Sequence, residues 1–296
     1  MKILILGGSG MLGHRLWMNL RKEHDVWVTV RGEYNPFPCV PEFPSEHIRY
    51  RVDGLMFEEI TRALASIQPD IVINCIGLIK QMGHIARDPL FSISLNSLLP
   101  HRISLICRAA NARMIHISTD CVFSGKKGQY TEDDQSDAED LYGRTKFLGE
   151  VCYPHCVTLR TSIIGMELKN RLGLIEWFLA QQGTIKGYRK AIFTGFTTDE
   201  LSRVISNYVI PNEDLHGIYQ VSSDPIAKYD LLNIAKESFK KDIDIQPDDD
   251  FFCDRSLDST RFRKLVGYQP PSWNEMMDEM ASTLPFYYSL RGSTKC

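Results

Sequence analysis

The feature that most limits what this chain can fold into is an alternation, in which short, continuously apolar runs take turns with amphipathic stretches from the first residues onward. Lys2 to Leu6, Val26 to Val30, Ile71 to Cys75 and Met114 to Ile117 read as strands; Met11 to Leu20, Phe57 to Ile67 and Leu95 to Ala109 read as helices. That order predicts βαβ units, and so an α/β protein whose parallel sheet carries helices on both faces. A strand covered on both faces has no solvent side to alternate with, and Ile3-Leu4-Ile5-Leu6 and Ile71-Val72-Ile73 are apolar at every position. With 43% apolar residues in 296, there is material for one large core or for a core and a smaller lobe.

Composition narrows the function classes. The net charge is -3, so there is no broad basic field for sequence-independent nucleic-acid binding. The apolar run at Ile3 stops at Gly7 and Gly8, too short for a signal core, and no later window of twenty apolar residues appears, so a cytoplasmic chain without membrane insertion is expected. Eight cysteines are scattered rather than framed for disulfides, and reduced thiols are expected. Cys152 and Cys156 stand at helical spacing around His155, but Pro154 interrupts and no second ligand pair follows, so no metal site is expected. His84, His101 and His116 lack any metalloprotease or nucleophile context and read as core or surface histidines.

Two stretches read as loops. Pro36, Pro38, Pro41 and Pro44 block helix and ladder between Tyr34 and His47, beside the expected adenosine end, and Ser124 to Asp140 is rich in Gly, Asp and Glu. After Ser162 the alternation loosens into helix-like Leu174 to Gln182, strand-like Ile218 to Val221, and helix-like Tyr229 to Lys240 and Trp273 to Leu284. The expected division is a dinucleotide-binding domain over 1–162, rejoined near 194–222, with 163–193 and 223–296 forming a smaller substrate-binding lobe over the strand ends.

Between the first strand and the first helix lies Gly7-Gly8-Ser9-Gly10-Met11-Leu12-Gly13. At a first βα junction, Gly7 allows a tight turn, Gly10 lets backbone approach a pyrophosphate, and Gly13 lets helix pack closely on strand. The helix N-terminus then offers unpaired amides and the positive end of its dipole to phosphates. About twenty residues further on, where an acid would hold the ribose 2'-hydroxyl of NAD, stands Arg31, which favours a 2'-phosphate. NADPH is the expected cofactor, with NADH the alternative.

Tyr142 and Lys146 are four apart, so on a helix they share a face. A free phenol with a pKa near 10 is a reluctant acid, and a neighbouring ammonium is expected to lower that value and make Tyr142 a usable general acid. Such a pair is common on solvated helices, and its surroundings give it meaning. Ile115-His116-Ile117-Ser118-Thr119-Asp120-Cys121-Val122-Phe123-Ser124-Gly125 puts hydroxyls at the carboxyl end of a strand, where open α/β sheets bind ligands.

The glycine turn, that strand end, Tyr142-Gly143-Arg144-Thr145-Lys146-Phe147-Leu148-Gly149-Glu150 and Leu159-Arg160-Thr161-Ser162 together resemble dTDP-4-dehydrorhamnose reductase and its relatives among extended short-chain dehydrogenases/reductases. Thr194 to Thr198 and Leu257 to Phe262 resemble later segments of the family more loosely. The resemblance implies a Rossmann-type doubly wound sheet and Thr119, Tyr142 and Lys146 as the catalytic set. It implies cofactor contacts at Gly7, Ser9, Gly10, Met11, Leu12, Arg31, Asp53, Cys75, Ile76, Gly77, Ser118 and Thr161, with Tyr142 and Lys146 on the nicotinamide ribose and Asn96 supporting the site. Lys80, Gln81, Asp120, Cys121, Ile163 and Arg189 are the candidate substrate residues. Cys121 and Ile163 stand where the family usually carries Tyr and Trp, which leaves UDP-linked 4-keto-6-deoxy or acetamido sugars beside dTDP-linked ones. The implied reaction is reduction of a nucleotide-linked keto sugar, and the oligomer it allows is a homodimer. The alternatives are an epimerase or dehydratase of the same superfamily, or a non-catalytic subunit like that of methionine adenosyltransferase.

Overall fold

Strand β1 (Lys2–Leu6) is wholly buried from Ile3 onward, and its alternate side chains serve two separate cores. Ile3 and Ile5 pack with Leu12, Leu16 and Trp17 of helix α1 (Met11–Leu20) on one face. Leu4 and Leu6 pack with Ile60, Ala63, Leu64 and Ile67 of α2 (Phe57–Ile67) on the other. The computed structural model describes residues 1–35, 44–169 and 171–292. Three of the four loop prolines, at 36, 38 and 41, lie outside the described residues.

Seven parallel strands form the main sheet, in the order β10 (Gly217–Gln220), β6 (Cys156–Arg160), β5 (Arg113–Ile117), β4 (Ile71–Asn74), β1, β2 (Asp25–Thr29) and β3 (Ile48–Arg49). Strand order running outward in both directions from β1 is the doubly wound arrangement. After β4 come α3 (His84–Arg87), α4 (Pro89–Ser92), a π turn (Ile93–Leu98) and α5 (Leu99–Ala109). The helical stretch Pro89–Ala109 is, among the described residues, the one long and apolar enough to cross a membrane by length and composition, and half of it is buried inside the fold. Helix α6 (Leu141–Leu148) follows β5.

The second half differs from its sequence reading, which found mostly helices. Beside α7 (Leu174–Ala180), α8 (Thr198–Val204), α9 (Lys228–Ser238), α10 (Thr260–Val266), α11 (Trp273–Ser282) and α12 (Leu284–Gly292), it holds a three-stranded sheet, β11 (Ile226–Ala227), β8 (Thr184–Phe193) and β12 (Asp244–Asp254). A two-stranded pair joins β7 (Ile163–Ile164) to β9 (Phe196–Thr197). Strand β8 buries only part of its length and β12 carries Pro247 and Asp248-Asp249-Asp250, so their solvent faces mask the apolar alternation. A proline inside β12 is tolerated because β12 is an edge. Cys152 and Cys156 do not share a helix: Cys156 opens β6 and is buried, while Cys152 is exposed.

Leu16 is fully buried where α1 meets the sheet. Leu16→Ala should lower unfolding stability by about 2–5 kcal/mol in a urea titration, the usual cost of a buried leucine deletion. A change under about 0.5 kcal/mol, the range of a surface substitution, would remove α1 from the core as described.

Candidate active site

At the end of β1 the chain turns with Gly7 at φ 85°, and its amide donates to Thr29 Oγ1 at 3.1 Å while Gly8 donates to the Thr29 carbonyl at 2.8 Å. A Cβ on Gly13 would stand 2.2 Å from the Gly7 carbonyl oxygen, so only glycine lets α1 start this close to the strand. Helix α1 has Gly10 as N-cap, no side-chain cap and no acid in its first turn, which leaves its positive end to a ligand. His14 braces this turn. Its Nδ1 is 2.8 Å from the Gly10 carbonyl and its Nε2 is 2.6 Å from the Tyr287 hydroxyl on α12. A carbonyl only accepts, so Nδ1 carries the proton and Tyr287 donates to Nε2, and burial keeps the ring neutral by pulling its pKa down to about 3.

The next strand ends add the far wall. Asn74 Oδ1 accepts from the Ile76 amide at 3.1 Å, setting the path of Cys75 to Gly77. Asn96 sits in the π turn; its Oδ1 accepts from the Leu78 amide at 2.8 Å and its Nδ2 donates to the Leu78 carbonyl at 3.1 Å. After β5, Thr119 Oγ1 donates to Asp120 Oδ1 at 3.0 Å and accepts from the Cys121 amide at 3.1 Å. Burial raises the Asp120 carboxyl and pushes the Cys121 thiol up to about 12.

Helix α6 is capped by Asp140, whose Oδ1 accepts from the Gly143 amide at 2.8 Å. It lies unusually close to its neighbours: a Cβ on Gly143 would be 2.1 Å from the Cys121 carbonyl oxygen, and one on Gly149 would be 1.9 Å from that of Asn96. The glycines of the Tyr142 motif therefore let the helix press against both the β5 end and the π turn. Asp140 Oδ2 also accepts from Lys80 Nζ at 2.5 Å, and that ammonium lies 5.6 Å from the Tyr142 ring centre. Lys146 Nζ donates to the Ile117 carbonyl at 2.7 Å.

The electrostatics correct one expectation. Burial raises the Tyr142 phenol well above its ordinary value; a hydrogen bond with Thr119 pulls against it, while the neighbouring Cys121, Asp120 and Asp140 push the same way as burial. Lys146 itself is driven down to about 8 by burial, against the pull of Glu150. Desolvation thus outweighs the short-range charge effect read from the i, i+4 spacing. Behind Lys146, Glu150 and Arg160 form a bidentate pair at 2.8 Å for both bonds, each side chain under 5% exposed, and Ser118 Oγ donates to the same carboxylate at 2.7 Å.

These parts enclose a cavity of about 640 Å³. Ser9, Gly10, Met11, Leu12, Cys75, Ile76, Gly77, Lys80, Gln81, Ser118, Thr119, Asp120, Cys121, Tyr142, Lys146, Thr161 and Ile163 line it, while Gly7 and Asn96 act from behind the lining. Arg31 and Asp53 lie beyond the ends of β2 and β3, outside the lining; Asp53 Oδ1 accepts from the Leu55 amide at 3.0 Å. Arg189 is outside the lining: it lies on an exposed stretch of β8 and is paired with Asp249. Sequence reasoning missed Glu167, Lys169, Lys228, Phe251 and Arg255 in the lining. The one signal for them was the period-two spacing of Phe251, Cys253 and Arg255, which needed β12 to be recognised as a strand.

The family model described as RmlD substrate binding domain matches residues 1–239. The chain belongs to that family. Among curated relatives of this RmlD-family chain, the probable low-salt glycan biosynthesis reductase Agl14 of Haloferax volcanii is 28% identical over 170 residues, 55% of this chain and 54% of the relative. Methionine adenosyltransferase 2 subunit beta of Danio rerio is 24% identical over 258 residues, 80% of this chain and 74% of that protein. The chain spans about half the length of the curated reductases it matches. A solved dTDP-4-dehydrorhamnose reductase from Bacillus anthracis, in complex with NADP, superposes with a TM-score of 0.76 at 18% identity, covering 94% of this chain and 98% of that one.

Lys146 gives a pH signature in the cofactor-free protein. Its folded pKa, about 8, lies below its unfolded value of 10.5, so below pH 8 both states are protonated and the buried charge costs stability. Between pH 8 and 10.5 the unfolded chain binds the extra proton, and stability rises with pH. Lys146→Met should raise stability at pH 7, by a few kcal/mol at most, and flatten that rise in denaturant titrations; an unchanged slope would mean that Lys146 is not desolvated.

Proposed function

We propose that this chain reduces the keto group of a nucleotide-linked 4-keto-6-deoxy sugar, with or without an acetamido group, using NADPH. The observation that carries the reading is the meeting of Thr119, Tyr142 and Lys146 on one cavity whose other wall is the uncapped N-terminus of α1. The residues present fit a dinucleotide. Gly7, Ser9, Gly10, Met11 and Leu12 would hold the pyrophosphate, Arg31 a 2'-phosphate beyond β2, and Cys75 to Gly77 the adenosine side, while Tyr142 and Lys146 would face the nicotinamide ribose. When bound, NADPH supplies the hydride that the chain itself lacks.

The raised phenol pKa keeps Tyr142 protonated at neutral pH, which is the form a proton donor to a carbonyl oxygen needs. Thr119 offers a second hydroxyl to orient that oxygen. As Tyr142 gives up its proton, negative charge develops one helical turn from Lys146, where an ammonium already held by the Ile117 carbonyl requires little rearrangement to stabilise it. Asp140 and Lys80 hold the start of α6 and so the height of the Tyr142 ring over the cavity.

A second reading has one observation in its favour: the longest curated alignment cited above is to a methionine adenosyltransferase subunit. That reading predicts NADPH binding without turnover of any sugar, and a stable enzyme partner. Incubation with NADPH and a panel of UDP- and dTDP-linked 4-keto sugars separates the two. The proposal expects loss of absorbance at 340 nm, with Tyr142→Phe slower by about 10²–10⁴-fold, the range of general acid catalysis. Turnover equal to the unaltered protein would remove Tyr142 from its role. For cofactor choice, Arg31→Ala should weaken NADPH binding by about tenfold in a fluorescence titration, the worth of one charge-assisted contact, and leave NADH binding unchanged. Equal losses for both cofactors would argue against a 2'-phosphate contact.

A further inference from the structure

The wall of the cavity opposite the glycine turn comes from the second sheet, and the chemistry there is not used by carbonyl reduction. Pairing between β12 and β8 breaks at a bulge between Asp248 and Phe252, and Phe251 within it and Cys253 and Arg255 after it line the cavity. Bulges commonly re-aim side chains beside binding sites. Lys228 reaches the same space from the first residue of α9.

Lys228 and Arg255 bring positive charge to this wall. Neither has a carboxylate within 4 Å among the described residues, whereas Lys80 of the same lining is paired with Asp140. Arg255 uses Nε on the Phe123 carbonyl at 2.8 Å, which leaves the end of its guanidinium to the cavity. Lys228 stands in the first turn of a helix, where a cation opposes the dipole, and the N-cap Ala227 provides no side-chain cap. The acid in that turn, Asp230, is exposed and acts on Arg189 on the outer side. A helix start with an added cation and no cap is favoured by a bound anion. Both cations also act on buried Asp120, so the anion would sit within reach of the reacting end of the cavity.

We infer that Lys228 and Arg255 seat the diphosphate of the substrate, with the nucleoside base on Phe251. Phe251 is 47% exposed at the cavity wall and is backed by Tyr188 with ring centres 4.9 Å apart, a fixed apolar face of the kind on which bases stack. The inference rests on the nucleotide-sugar reading and names the residues that would make the enzyme recognise the nucleotide.

The test is calorimetric titration of the NADPH-loaded full chain with UDP, dTDP, pyrophosphate and glucuronate. Lys228→Met and Arg255→Met should each weaken UDP or dTDP by about tenfold or more, as loss of one charge-assisted contact implies, with NADPH affinity unchanged. Arg255→Lys, which keeps the charge, should recover part of the loss and guards against a folding effect through Phe123. Phe251→Ala should weaken UDP several-fold and leave pyrophosphate alone. Nucleoside diphosphate affinity unmoved by both charge variants would overturn the inference. So would losses confined to glucuronate, which would put the anion on the sugar. Failure of the reductase reading looks different: no keto sugar consumes NADPH, yet the charge variants still lose UDP.

Discussion

The site depends on one row of register across the sheet. Leu6 pairs with Asn74, Asn74 with His116, and His116 with Thr158, so β1 and β4 end on this row while β5 and β6 end one and two residues beyond it. The residues that follow the strands, Gly7, Cys75, Ser118 and Thr161, therefore leave the sheet along one edge, where the glycine turn, the Cys75 to Gly77 wall and the hydroxyls of Ser118 and Thr119 converge. Asn74 and His116 strengthen that row with a side-chain contact at 3.1 Å between Nδ2 and Nδ1 in the buried interior. Burial holds His116 well below its usual pKa, which keeps this contact between neutral groups. A slip of one residue in β4 or β5 would turn every buried side chain of that strand to the opposite core.

On that edge, burial sets the acid–base character of the site. The phenol is held protonated and the ammonium is held close to losing its proton, because neither charge is well solvated. The buried Glu150–Arg160 pair, with Ser118 donating into it, is the fixed charge arrangement behind Lys146, and the Glu150 carboxylate raises the lysine pKa against burial. Breaking such a pair strands a charge in the core, so its contribution lies in positioning more than in net stability. Motif residues outside the cavity lining thus shape those within it.

Much of this was legible in order along the chain. Residues that act within one turn or one strand end follow from spacing: Gly7 to Gly13, Thr119 after β5, and Tyr142 with Lys146. Asn96 and Gly149 were visible as motif members, while their meeting across the π turn was not. The second half of the chain was the least legible, because β8 and β12 are half-exposed strands whose polar faces hide a period of two. Arg189 and Arg255 illustrate the cost: one lies on β8 and the other just past β12, and only the tertiary structure decides that the first meets Asp249 and the second enters the cavity.

The sequence by itself determined the parallel, doubly wound sheet, the glycine turn and the spacing that puts Tyr142 and Lys146 on one helix, because each depends on local periodicity or on near neighbours. Tertiary structure alone decided how those side chains titrate and what faces them across the cavity. Desolvation depends on every element packed around a group, and the approach of Lys228, Phe251 and Arg255 to Thr119 and Asp120 joins residues more than a hundred positions apart, a distance over which periodicity carries no information.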